Sequence, residues 1–147
     1  MTLAVYTAFD ASEVVAIRIG NWSQLCSPYT ADAVIRQVPA RAGVYVLWAN
    51  PHGAGWECLV IGRAENLKKR LLEHLAGEDP RVVKTGGPRC GFCWIEIADE
   101  IERAGVEKYL GHVLARDPKA AGGDPGAEPL RVPLPPRPPS ATPYPYV

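Results

Sequence analysis

The sequence predicts a mixed α/β domain of the α+β kind, and three observations carry that expectation. Two apolar runs of strand type, Gly43-Val44-Tyr45-Val46-Leu47-Trp48 and Cys58-Leu59-Val60-Ile61-Gly62, flank a turn containing Gly and Pro. A helical segment, AENLKKRLLEHL, follows at once, with Leu67, Leu71 and Leu75 at four-residue spacing as its buried stripe. A third strand over Phe92 to Ile97 and a second helix from about Asp99 to Ala115 complete the core. At 147 residues the chain is long enough to bury a real hydrophobic core as one domain.

Residues 1–40 read as an N-terminal appendage packing on the domain. Within it Leu3 to Phe9 and Val14 to Ile19 are rich in β-branched residues and suit paired strands. The segment after Thr30 reads as a short helix, with Thr30 as its cap and Pro39 as its stop. Residues 41–120 form the domain proper. Its loop, 76 to 90, is rich in Gly, Pro and basic residues, and the third strand alternates Phe92, Trp94 and Glu96 against Cys93, Ile95 and Ile97. In the second helix Asp99 and Glu100 sit favourably at the positive end of the helix dipole. The composition then changes: ten of the fifteen prolines lie between Pro118 and Pro145. Residues 121–147 are therefore expected to be a tail, extended as polyproline II or disordered. PxxP spacings such as Pro133 to Pro136 fit a plain tail better than a partner motif.

The apolar fraction of 47% and charged fraction of 22% are ordinary for a globular protein. With 16 basic and 16 acidic residues the formal charge is zero, which excludes a strongly cationic nucleic-acid coat. The charges are unevenly spread, however. Residues 60 to 90 hold seven Lys/Arg against four acids, and residues 95 to 107 hold five acids against Arg103 alone. A local basic face binds phosphates even on a neutral protein. The start, MTLAVYTAFDASEVV, lacks a basic region followed by a long apolar one, and no stretch approaches a membrane span. A cytoplasmic protein with no membrane partner and no small-molecule cofactor is expected. Of the four cysteines, Cys90 and Cys93 have the spacing of a zinc knuckle or a redox pair. Zinc needs two further ligands, and Cys26 and Cys58 are scattered singly, so buried free thiols are the default.

Chemistry concentrates around the first two strands and the two helices. Asn66, Arg70 and His74 recur at four-residue spacing and so share a helix face just beyond a strand end. An amide, a guanidinium and an imidazole together suit phosphate handling more than core packing. Arg63, directly after Gly62, is expected to point at the same place as Arg70. Tyr45 in mid-strand is either a packing residue or a phenol that orients or deprotonates a water. Arg70 could stabilise charge on a pentacovalent phosphorus or simply pair with Glu73 or Glu65. His74 could be a general base, a phosphate ligand or a surface histidine. Glu107 projects within about 20° of Leu114 on an ideal helix, at the edge of the apolar face. A carboxylate there needs a partner, either a basic residue of the first helix or a metal ion. Mg²⁺ suits a lone carboxylate, because it keeps most of its water.

Gly43-Val44-Tyr45, Val60-Ile61-Gly62 and the Asn-Leu-x-x-Arg-Leu-x-x-His helix, together with the later Gly-Val-Glu-Lys-Tyr-Leu, resemble the GIY-YIG nuclease family. The resemblance spans roughly residues 41 to 120 and extends loosely to the appendage and tail of small stand-alone members. It implies a three-stranded antiparallel sheet flanked by helices, and an endonuclease that hydrolyses DNA phosphodiesters with one divalent metal, Mg²⁺ or Mn²⁺. On that resemblance Glu107 is the metal ligand and Arg70 the transition-state stabiliser. Tyr45 is one of two tyrosines that position or activate water, and His74 completes the catalytic group. Arg63, Asn66 and Lys69 are expected on the DNA side. The chain departs from the pattern twice: Val60 replaces the second tyrosine, and Ala120 and Ala121 stand where an asparagine is usual. A module of the same fold that binds nucleic acid or a protein without cleaving is therefore the alternative.

Overall fold

The computed structural model describes residues 20–26, 28–50, 56–78, 90–114 and 125–136. The expected strands Leu3 to Phe9 and Val14 to Ile19, most of the 76 to 90 loop, and Ala120 and Ala121 lie outside the described residues.

The chain forms α1 (Ala31–Gln37), β1 (Gly43–Ala49), β2 (Glu57–Ala64), α2 (Leu67–Glu73), β3 (Cys90–Glu96) and α3 (Glu100–Leu114). The three strands make one antiparallel sheet in the order β2-β1-β3. Every residue of the central β1 is buried, as its unbroken apolar run requires of a strand covered on both faces. β2 runs two residues beyond Gly62 and takes Arg63 into the ladder opposite Val44.

Alternate β1 side chains divide the core into two layers. Tyr45 and Leu47 face α1 and α2, packing with Val34, Val60, Leu67, Leu71 and Phe92. Val44, Val46 and Trp48 face α3 with Ile61, Ile95, Val106, Leu110 and Leu114. The result is a sheet sandwiched between helices, a mixed α+β arrangement. Gly43 is required by that closeness. A side chain on it would collide with the Ile95 carbonyl and lie 2.8 Å from Leu67 of α2.

The appendage residues cover the outer edge of β3. Backbone bonds run from Ser23 to Trp94 (2.8 Å), between Cys26 and Phe92 in both directions, and from Tyr29 to Cys90 (2.8 Å). An uncovered edge would offer unpaired donors and acceptors to other chains. Thr30 caps α1 by accepting from the Ala33 N–H at 3.2 Å, and Tyr29 donates its hydroxyl proton to the Leu71 carbonyl, tying α2 in place. Asp99 is the cap of α3 rather than its first turn; its carboxylate accepts from the Glu102 N–H at 2.9 Å. Arg103, the lone base of its acidic stretch, is buried. It donates to the carbonyls of Ile97 (3.1 Å) and Ala98 (2.8 Å), closing the end of β3.

Residues 125–136 pack against the α3 layer, which composition alone does not reveal. They are extended but packed: Val132 is 3% exposed and sits in the α3 layer. The Leu130 N–H donates to the Gly105 carbonyl at 2.9 Å, and Trp22 donates its indole proton to the Pro133 carbonyl at 2.7 Å. Gly105 is the notch that admits this strap, since a Cβ there would lie 2.6 Å from the Glu128 carbonyl. Prolines remove backbone donors, so the segment crosses the helix on a few apolar side chains and single hydrogen bonds. Among the described residues no helix is long and apolar enough to cross a membrane.

Candidate active site

Tyr45 is the centre of the arrangement. It projects from the middle of β1 towards α2, and its ring crosses the β2 ladder at its register partner, Gly62. A Cβ at Gly62 would strike the phenol ring and hydroxyl, so only glycine lets the ring lie flat there. The Tyr45 hydroxyl thus reaches His74, with Oη 2.7 Å from Nε2 and the two rings edge to face. His74 is 2% exposed, which removes the surface-histidine reading. It sits where α2 loosens into a wider turn over His74–Glu78, ended at Gly77 with φ of 99°, in the left-handed region that glycine adopts freely.

Arg70, one turn earlier, hydrogen-bonds both the Tyr45 hydroxyl and the Glu73 carboxylate, the latter at 3.1 Å. Partial burial alone would lower its pKa, but those bonds and the neighbouring negative charge outweigh it, and the guanidinium is held more firmly protonated. Arginine has donors only, so the Tyr45 oxygen accepts from Arg70, and the direction of the Tyr45–His74 bond is set by the imidazole tautomer: with Nε2 unprotonated, the phenol proton points to it. In that tautomer a phenol beside an imidazole, with a guanidinium on the same oxygen, can pass a proton and stabilise the anion left behind.

Asn66 shares the sequence spacing but serves the helix itself. It caps α2, its Oδ1 accepting from the Lys69 N–H at 3.1 Å. Lys69 is exposed. Lys68, Lys69, Leu72 and Glu73 border an open surface depression of about 510 Å³.

Arg63 does not point where Arg70 does. Because β2 continues through it, the alternation that puts Gly62 beneath Tyr45 sends Arg63 to the opposite face. There it meets Glu107 of α3, Nη1 to Oε1 3.9 Å, too long for a hydrogen bond. The expected partner of Glu107 on the first helix is thus replaced by Arg63 on β2. Tyr45, Arg70 and His74 are brought together. Arg63 and Glu107 form a second pair across the sheet.

The Glu107 side chain is 5% exposed, and Oε1 is buried without a hydrogen-bond donor among the described residues. Burial raises its pKa above the ordinary carboxylate value, opposed only in part by Arg63. An orphaned hard oxygen of this kind fits a divalent ion of the Mg²⁺ class, which takes one or two carboxylates and completes its shell with water and phosphate. Zinc fits poorly. Cys90 packs in the α1/α2 layer and Cys93 in the α3 layer, so the two thiols lie on opposite faces of β3. Burial pushes the Cys58 thiol up to about 12, helped by Glu57, and the Cys93 thiol well above its usual range, mainly by burial. Among the described residues no three His, Cys, Asp or Glu side chains gather as a metal cluster.

Comparison with protein-family models, with curated proteins and with solved structures finds no match for this chain. The site's chemistry therefore rests on its own geometry.

Proposed function

We propose that the protein is a metal-dependent endonuclease of the GIY-YIG type, hydrolysing DNA phosphodiester bonds. One observation carries the reading: the Tyr45 hydroxyl lies between His74 Nε2, at 2.7 Å, and the Arg70 guanidinium, over a Gly62 that leaves room for it. In this reading the Tyr45 oxygen takes a proton from the attacking water as its own proton passes to His74. Arg70 then neutralises the charge that develops on the phosphorane oxygens. Glu107, on the other face of the sheet, would hold Mg²⁺ or Mn²⁺, which would supply Lewis-acid stabilisation of phosphoryl charge. Arg63 offsets part of the cost of burying that carboxylate, and Lys69 contributes to holding the DNA backbone.

A second reading is favoured by two specific observations. Val60, buried in the Tyr45 layer, brings no titratable group, and Glu107 lies across the sheet from Tyr45. Both suit a module of this fold that binds nucleic acid or a protein without cutting. Incubation with plasmid or branched DNA and Mg²⁺ or Mn²⁺, for wild type, Arg70→Ala and Glu107→Ala, separates the two. The nuclease reading expects nicking by wild type and at least about a hundredfold loss in each variant. Binding that weakens with salt, without any cleavage, favours the binding module. Cleavage equal in all three proteins defeats the site assignment.

A further inference from the structure

Arg70 is not merely the cation of a helix-surface pair, because the hydrogen bond to the buried Tyr45 fixes one side of its guanidinium. What remains of its donor fork faces Glu73, whose carboxylate lies at 3.1 Å. Both side chains keep partial access to solvent, 39% for Arg70 and 31% for Glu73. Ionic pairs of this spacing on a helix surface are among the weakest in proteins. Glu73 also borders the depression of about 510 Å³ that Lys68 and Lys69 share, and among the described residues it is the one acid in that lining. A carboxylate has the oxygen geometry of a phosphate edge, and a guanidinium binds both in the same way.

We infer that Glu73 is a built-in, displaceable occupant of an anion seat on Arg70, and that the seat's ligand is a backbone phosphate of a nucleic-acid strand. The strand's phosphate exchanges with the carboxylate on Arg70, and neighbouring phosphates meet the ammonium groups of Lys68 and Lys69 on the same helix. Exchange, rather than simple addition, means that weak anions leave the seat closed and only a polyanion, held at several points, opens it. Glu73 thereby selects for a strand over a free phosphate. This rests on the nuclease or nucleic-acid-binding reading of the same site.

The test uses the full chain and a fluorescently labelled DNA duplex in EDTA, with affinity followed by anisotropy across a salt series. Glu73→Gln is compared with wild type, and Glu65→Gln, an exposed acid outside the pair, controls for the change in net charge. Removing one unit charge about 4 Å from the incoming phosphate is expected to tighten binding about fivefold. The slope of log affinity against log salt is expected to steepen by up to about 0.9, one further phosphate neutralised. Glu65→Gln is expected to do neither, and Arg70→Gln in the Glu73→Gln background is expected to abolish the gain. Equal affinity and slope for Glu73→Gln and wild type, with wild type binding DNA, overturns the inference and leaves the proposed function standing. An identical gain in Glu65→Gln overturns it too, as an effect of net charge. Failure of wild type and Glu73→Gln alike to bind DNA overturns both readings.

Discussion

Gly62 has no side chain because the ring of Tyr45 occupies the place where one would stand. Gly62→Ala is therefore expected to cost about 1–3 kcal/mol, as forced overpacking does, and to pull the phenol from His74. Urea denaturation measures the first effect and the cleavage assay the second. Glu107 allows a prediction of opposite sign. Burial raises its folded pKa above the unfolded value of about 4.3. The stability linked to its protonated form is complete below that unfolded value and is lost as pH rises through the folded one. Glu107→Gln mimics the protonated state, so without metal it is expected to melt above wild type near neutral pH, the gap closing below about pH 4. Added Mn²⁺ is expected to raise the melting temperature of wild type and not of the variant.

At the level of elements, α2 does two jobs with one spacing. Asn66 holds its start, and Arg70 and His74 carry the polar cluster, while Leu67 and Leu71 anchor it to the sheet. Asn66→Ala is expected to lower stability by about 1 kcal/mol, the usual worth of a cap. A loss of DNA affinity at temperatures where the fold is intact would show that the amide also reaches substrate. The helix and its apolar stripe were legible from the four-residue spacing, because local periodicity encodes a face directly; that Asn66 serves as the cap was not. Nor was Arg63. Its direction depends on whether the strand stops at Gly62 or continues, and two residues of ladder register decide which face it takes. Arg103 was hidden for a similar reason: its partners, the carbonyls of Ile97 and Ala98, are set by how β3 ends, not by residue type.

For the whole molecule, the sheet is the divider. One layer holds the Tyr45–His74–Arg70 cluster and the other holds Arg63, Glu107 and the strap at Val132. Both sets of residues are visible in the sequence as chemistry-bearing types, yet their distribution over two faces is a property of tertiary packing. The strap was equally hidden. A proline-rich composition reads as a tail wherever it lies, and only Gly105 hints that something passes close to α3. In the proposed function the Tyr45 hydroxyl, set between His74 and Arg70, is the group that carries phosphodiester hydrolysis. Tyr45→Phe removes that oxygen and almost nothing else. In single-turnover cleavage of plasmid DNA with Mn²⁺, wild type is expected to cut and Tyr45→Phe to be slower by about 10²–10⁴, the range of general-base catalysis. A Tyr45→Phe rate equal to that of wild type, or a wild type that binds DNA and never cuts it, would overturn that role for the phenol.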